Sequence, residues 1–234
     1  MAENTTAQLR ILSRSDAPFA DRAEAGRLLA DALSEYRGQN AVVLGIPRGG
    51  IIVGREVARE LGAELDIVLA HKLRTPGYEE LAMGSVAEDG SLFLNREVVQ
   101  ELGVGKDYIE QEKARQMAEI ERRAGLFRAS RPKVALKGRI VIVTDDGVAT
   151  GATTQAAFWA IRSERPQKLI AGIPVGPEDT IKRLARDVDE MVCLRAPELF
   201  AAVGQFYRRF APVEDEDVLG ILRDEYGGDR DERH

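Results

Sequence analysis

The residues best suited to chemistry lie in one run, Arg139 to Gln155, reading RIVIVTDDGVATGATTQ. Ile140 to Val143 is β-branched and uncharged, as befits a strand buried on both faces of a parallel sheet. Two adjacent carboxylates follow, Asp145 and Asp146, and then a loop of small and hydroxylated residues: Gly147, Val148, Ala149, Thr150, Gly151, Ala152, Thr153. From Gly151 the pattern turns helical through Ala156, Ala157, Trp159, Ala160 and Ile161. A strand, a small-residue loop and a helix start make an anion site, because loop amides point outward and the helix N-terminus adds partial positive charge. Gly151 and Ala152 let the backbone approach a phosphate, and the threonine hydroxyls can donate to it. The carboxylates would repel that phosphate, so they should face another part of the ligand, such as a sugar diol or a bound cation. The alternative is that they cap the turn, although a cap needs only one side chain. The run is neither a Walker A loop nor G-x-G-x-x-G.

Two further groups of residues could meet an anion. Pro47-Arg48-Gly49-Gly50 follows a buried-strand pattern, Ala41 to Ile46, and precedes a helical one, Ile51 to Leu61. An arginine beside glycines suits an anion, and a plain turn fits the same residues. Lys72 and Arg74 follow a third apolar run, Leu65 to Ala70, before Pro76-Gly77 turns the chain. Parallel α/β folds hold ligands at the carboxyl ends of strands, where these cations fall. A solvated loop is the alternative. In an extended segment Lys72 and Arg74 would point the same way and could reach one group.

These residues need a scaffold. The first ~18 residues read as polar and loosely held. Asp21 can cap a helix running to about Tyr36, with Ala25, Leu28, Leu29, Ala32 and Leu33 on one face and Gly38 after it. Gly84 to Ala87 and Ser91 to Leu94, split by Glu88-Asp89-Gly90, read as a hairpin. Residues 95–131 form a helical insertion. Asn95 caps a short helix, and a longer one runs from about Lys106 to Arg128 with Met117, Ile120, Ala124 and Phe127 on one face. That face should pack on the sheet or on a second subunit, so a homo-oligomer is one reading. Lys168 to Val175 and Glu190 to Leu194 are further strands, separated by a helix from Glu178 to Arg186. Glu198 to Phe210 gathers Phe200, Val203, Phe206, Tyr207 and Phe210, a cluster that serves a core or floors a pocket. From Glu214 the chain becomes an acidic tail, 214–234, that frays after Tyr226. The expected architecture is one α/β domain across 1–234, a mainly parallel sheet with helices on both faces plus the insertion.

Composition narrows the function. The chain has 234 residues, 44% of them hydrophobic and 31% charged, which describes a globular domain. Its net charge of -6 argues against a nucleic-acid binder. Cys193 is the only cysteine and lies in the apolar run Met191 to Leu194, so it reads as a buried, inert thiol. There are two histidines, and His234 is terminal, so no His/Cys metal set is expected. Neither a signal peptide nor a membrane span is evident, which makes the cytoplasm the default.

The run Asp145-Asp146-Gly147-Val148-Ala149-Thr150-Gly151-Ala152-Thr153 resembles the phosphoribosyl-pyrophosphate (PRPP) motif of type I phosphoribosyltransferases: four apolar residues, two acids, and a loop with T-G-x-T. Thr144 departs slightly, since a bulky apolar residue is commoner there. The resemblance covers about Ala41 to Leu194. It implies Mg²⁺-dependent phosphoribosyl transfer from PRPP to a nitrogen acceptor, with release of pyrophosphate. Asp145 and Asp146 would hold the ribose hydroxyls. Val148 to Thr153 would cradle the 5′-phosphate, and Arg48, Gly49 and Gly50 would bind pyrophosphate. A mobile basic loop from His71 to Met83 would bring Lys72 and Arg74 over the leaving group. The resemblance implies that Mg²⁺ arrives with PRPP, and no dedicated metal cage is read from the chain. Members acting on 6-oxopurines carry an acid where Ala149 stands, so hypoxanthine and guanine should be poor acceptors. A PRPP- or nucleotide-sensing regulator is the rival reading, but the ~40 residues before the first buried strand are few for an output domain.

Overall fold

A computed structural model describes residues 8–129 and 132–227 of the chain. The segment before the first helix is not loose along its whole length. Gln8–Ile11 forms β1 and pairs in parallel with a later strand. Residues 1–7 of that segment lie outside the described residues. The β1 strand is held at the sheet edge by Arg10, which reaches Glu35 at 3.0 Å and the buried Glu190 at 3.3 Å.

Helix α1, Arg22–Ala32, starts at Asp21, whose Oδ1 accepts the Glu24 N–H at 2.9 Å. It relaxes into a 3₁₀ turn, Ser34–Tyr36, before Gly38 at φ +70°. Ala25, Leu29 and Leu33 are buried, whereas Leu28 is exposed. Strand β2, Val42–Gly45, leads through Pro47–Gly50 into α2, Gly50–Leu61, and then β3, Glu64–Ile67.

The third apolar run does not end in a loop. After Val68-Leu69 the chain re-enters extended structure as β4, Ala70–Thr75, which turns at Pro76-Gly77 into β5, Tyr78–Ala87, and then β6, Leu92–Leu94. These strands make a separate antiparallel sheet, β4-β5-β6. The expected loop from His71 to Met83 is thus a β-hairpin, because alternate residues Leu73 and Thr75 and the facing Met83 are buried.

Asn95 Oδ1 caps α3, Arg96–Glu101, through the Val98 amide. Helix α4, Lys106–Phe127, buries Ile120 and Phe127 and lies across β4 and β5. The insertion therefore packs on the small sheet of its own chain; its last residues, 130–131, lie outside the described residues. Strand β7, Ile140–Thr144, leads into α5, Ala152–Ser163; β8 is Lys168–Val175, α6 is Glu178–Leu184 and β9 is Glu190–Arg195. The acidic tail is not free from Glu214. Asp215–Gly227 is a helix, α7, that buries Val218, Ile221 and Leu222 against α2, α4 and β3. Residues 228–234 lie outside the description.

The main sheet has the order β1-β9-β8-β7-β2-β3, with every pairing parallel. Its central strands are apolar on both faces. Val43, Ile142, Ile170 and Val192 belong to the core that includes α1 and α2. Val42, Leu44, Val141, Val143, Leu169 and Ala171 meet α5 and α6 through Phe158, Ile161, Ile181 and Leu184. Each buried Val, Leu, Ile or Phe among them contributes about 1.5–3 kcal/mol by leaving water. The small sheet rests on α5, with the Phe93 ring stacked 4.6 Å from Trp159. Among the described residues no helix is long and apolar enough to cross a membrane.

Candidate functional site

The order of the strands positions the site. From β2 the chain moves to β3 on one side, whereas β7, β8 and β9 step away on the other, so the β2–β7 boundary is a switch point. Gly45 pairs with Thr144 in register, so the loops after β2 and β7 leave the sheet side by side. Their contact explains the glycines. A Cβ on Gly49 would stand 1.9 Å from Asp146 Oδ2, and one on Gly50 would stand 2.7 Å from the Thr144 carbonyl oxygen. Gly49 and Gly50 therefore have a packing role that stands with or without an anion.

Asp145 and Asp146 are largely buried and locally tied. Asp145 Oδ1 accepts the Asp146 N–H at 2.8 Å, and Thr154 Oγ1 lies 3.4 Å from Asp145 Oδ2. Arg22 Nε donates to Asp146 Oδ2 at 2.8 Å, and the Tyr207 hydroxyl donates to the Asp146 carbonyl. Desolvation, reinforced by the charge of Asp146, holds Asp145 well above the usual carboxylate range. Desolvation also raises Asp146, opposed by the hydrogen bond and charge of Arg22. The aromatic segment after β9 forms the backing of this pair. Tyr207 packs on Phe19 and Phe210, while Phe200 and Phe206 stack 5.3 Å apart.

Beyond the acids, Val148 is buried and its N–H donates to the Val175 carbonyl at 2.9 Å. Gly151 takes φ +74°, the left-handed conformation that favours glycine, and α5 begins with no side-chain cap. Ala149, Thr150 and Thr153 are exposed. Helix α6 braces the loop from behind: Thr180 Oγ1 donates to the Ala149 carbonyl at 3.0 Å, and Arg183 donates to the Thr150 carbonyl. An exposed loop with an uncapped helix behind it can present amides to a phosphate.

Lys72 and Arg74 line one cavity of about 250 Å³ with Ala70, His71, Gln116, Arg123 and Thr153. A smaller cavity continues past Val68 and Leu69 to Ile46 and Pro47. The two cations thus face one space that borders the end of the phosphate-type loop, as their spacing implies. Arg48 is not brought to that space: its Nη1 donates to Glu214 at 2.6 Å, toward α7. Nor is the cation pair on a free loop. The buried Glu112 of α4 accepts the Arg74 N–H at 3.1 Å and the Gln116 amide at 2.9 Å, and Gln116 Oε1 lies 3.0 Å from His71 Nδ1. Burial lowers the His71 pKa. Cys193 is fully buried and its thiol is pushed up to about 12 by desolvation, as an inert thiol should be.

Reading the chain alone missed Arg22, Gln116, Arg123, Thr180 and Arg183, whereas Tyr207 stood in the aromatic cluster expected to serve a core or floor a pocket. The first five lie in helices whose local pattern speaks only of packing. Arg22, 124 residues from Asp146, carries no local sign of its partner.

The class this defines is an α/β protein with an acid pair and an uncapped, glycine-started helix at a strand switch point. The chain belongs to the phosphoribosyl transferase domain family, which matches residues 20–93 and 87–209. Two relatives from Mycobacterium tuberculosis, strains CDC 1551 / Oshkosh and ATCC 25618 / H37Rv, are provisionally named phosphoribosyl transferases. Each is 43% identical over 204 residues, which make up 87% of this chain and 46% of the relative. The chain thus spans about half the length of the curated relatives it matches. The crystal structure of TT1426 from Thermus thermophilus is 44% identical, with a TM-score of 0.84 over 88% of this chain and 98% of that one.

Proposed function

We propose that the protein transfers the phosphoribosyl group of PRPP to a nitrogen acceptor and releases pyrophosphate. One observation carries the reading: an acid pair and an uncapped, glycine-started helix share a loop at the β2–β7 switch point. The family membership supports it. The amides and hydroxyls of Ala149 to Thr153 hold the 5′-phosphate, the Val148 amide being already given to the Val175 carbonyl, and Asp145 and Asp146 accept hydrogen bonds from the ribose hydroxyls. An acceptor lone pair attacks the anomeric carbon as its bond to the pyrophosphate oxygen breaks, and pyrophosphate leaves with the electron pair. The acid pair steadies the positive charge that develops at the sugar. Lys72, Arg74 and Arg123, around one cavity, offset the charge gathering on the leaving group. The Pro47–Gly50 backbone flanks the leaving group, while Arg48 can join only by leaving Glu214.

Magnesium fits this donor set as an ion that arrives on the substrate. Among the described residues no group of three or more His, Cys, Asp or Glu could hold a metal. Substrate oxygens and water would supply most of its ligands, and the carboxylates of Asp145 and Asp146 any protein contact. Bound, it would neutralise charge on the diphosphate.

Ala149 has no side-chain group that can exchange a proton with a base. The acceptor is therefore a nucleobase-like compound other than a 6-oxopurine. The test is a pyrophosphate-release screen with Mg-PRPP and a panel of nitrogen bases. Release that depends on one base, with little from hypoxanthine or guanine, is expected. No release with any base, together with no rise in melting temperature at millimolar Mg-PRPP, would sink the reading.

A further inference from the structure

We infer that His71 is a proton-switched contact for the leaving group: its Nε2 is a hydrogen-bond acceptor that takes up a proton when a diphosphate fills the cavity beside it. The inference rests on the reading of that cavity as the place of the pyrophosphate. The ring is fixed from one side. Glu112 of α4 is buried, and its Oε1 accepts both the Arg74 N–H at 3.1 Å and the Gln116 Nε2 at 2.9 Å. Burial opposes the charge of Glu112, but hydrogen bonds from Arg115, the Arg74 amide and Gln116 outweigh it and hold the carboxyl below its usual pKa. An ionised carboxylate only accepts, so Gln116 must turn its NH₂ to Glu112 and its oxygen to the ring. Gln116 Oε1 lies 3.0 Å from His71 Nδ1, so that nitrogen carries the ring proton. Nε2 then has a lone pair, and no group among the described residues meets it.

The surroundings make that lone pair conditional. His71 lines the cavity of about 250 Å³ with Lys72, Arg74 and Arg123, and it also lines the smaller one that runs toward Pro47. Lys72 and Arg74 stand on its own strand. From α4 come Glu112, Arg123 and Glu119, which accepts from Arg123 at 2.8 Å. The residue facing His71 on β5 is Val86, and α5 brings Thr153, neither of which titrates in this range. Burial first, and then the charges of Arg123 and Arg74, lower the pKa of the ring against the Gln116 bond and Glu119. The imidazole is therefore neutral at pH 7.5 until an anion enters. A diphosphate reverses the balance. Its oxygens meet a bare lone pair unfavourably, and they offset the cations that keep the ring neutral. A proton taken from solvent onto Nε2 makes the ring a charge-assisted donor to the diphosphate, and it returns to solvent when pyrophosphate leaves. The proton and the diphosphate then favour each other's binding by the same factor.

The chain has two histidines, so His234→Ala leaves the ring signals of His71 alone. In ¹⁵N-histidine-labelled protein at pH 7.5, Nδ1 should read as protonated and Nε2 as bare. Saturation with inorganic pyrophosphate, in EDTA or with Mg²⁺, should move both nitrogens toward the imidazolium shifts and raise the ring pKa by about one unit or more. Ribose 5-phosphate, which lacks the diphosphate, should leave the ring as it was. Reciprocally, the parent should bind pyrophosphate about tenfold more weakly at about pH 8.5 than at about pH 5.5, measured relative to His71→Gln. The titration of pyrophosphate itself is common to both proteins. Bound pyrophosphate with an unmoved ring in both series overturns the inference and leaves the transfer reading as it was. So does a ring that carries its proton on Nε2 before ligand is added, or one that ribose 5-phosphate protonates. A protein that binds no pyrophosphate overturns it too. Should His71→Gln not fold, the ring signals of the parent decide alone. Protonation by pyrophosphate in a protein that turns over no base keeps the inference and removes the transfer reading.

Discussion

At the scale of single residues, the acid pair has a cost that function must justify. Asp145 is held well above its ordinary pKa by desolvation and by the charge of Asp146. A raised carboxylate pKa means that the folded state binds the proton more tightly than the unfolded state. The contribution to stability therefore falls as pH rises from the ordinary carboxylate value through the raised one. Asp145→Asn removes that charge while keeping an oxygen for the Asp146 amide. It should stabilise the protein at pH 7.5, because a carboxylate held above its ordinary pKa costs stability once it is ionised. The gain should vanish near pH 4. Other carboxylates, Glu190 and Asp189 among them, are shifted downward and have the opposite pH slope, so the difference between variant and parent is what isolates Asp145. Denaturant melts across pH would check it, and a variant less stable at pH 7.5 would show that the pair is not strained. Turnover should be lost in the same variant, because the neutral amide cannot steady a developing cation as a carboxylate does.

At the scale of elements, the insertion is fastened at both ends of the hairpin it covers. Arg128, just past α4, reaches Asp66 of β3 at 2.5 Å and both oxygens of Glu88 at 2.8 and 2.9 Å. Asp66 is buried, and without the guanidinium it would keep the Ile67 and Val134 amides but lose its charge partner. Arg128→Met should cost on the order of 3 kcal/mol or more, measured by denaturant unfolding, whereas a surface arginine would cost little. Nearer the site, Glu112 fixes β4 through the Arg74 amide. The strand that carries the cations is thus fixed to α4 before a ligand arrives. Lys72→Ala with Arg74→Ala should lower kcat about 10²-fold with a smaller effect on PRPP affinity, because leaving-group charge grows in the transition state. Equal losses in affinity and turnover would make both residues ground-state ligands. What could be read from sequence follows from the same physics. The central strands were visible because both faces are buried and the runs are uniformly apolar. The β4–β5 hairpin was hidden because site cations interrupt its apolar alternation, and β1 because an edge strand of Gln-Leu-Arg-Ile buries little. Helix α7 was hidden by its acids, although Val218, Ile221 and Leu222 have helical spacing. The loops of the site were legible because each is contiguous. Arg22 and Arg123 were not, because what they meet is decided by packing between distant segments.

At the scale of the whole molecule, the proposed ligand would touch parts that otherwise belong to different layers. The phosphate-type loop springs from the main parallel sheet, Lys72 and Arg74 from the small antiparallel sheet, and Arg123 from the insertion. The small sheet and α4 meet the main sheet largely through α5, α7 and the Arg128 clamp. A bound diphosphate would add a further tie across that junction. A ligand at 100 times its Kd stabilises the folded state by about 2.7 kcal/mol, so amides that exchange only through global unfolding should slow by about 100-fold. Amides that exchange through local opening should slow only where the ligand bridges the opening parts. Hydrogen exchange with and without Mg-PRPP should therefore show added protection at 148–154, at 70–75 and at 116–123 together. The edge pairing of β1 with β9, which opens without disturbing any of these, should not change. Protection confined to 148–154 would mean that the hairpin and α4 take no part in holding the substrate. The cation cavity would then belong to packing, and the leaving group would have to be held by the Pro47–Gly50 loop alone.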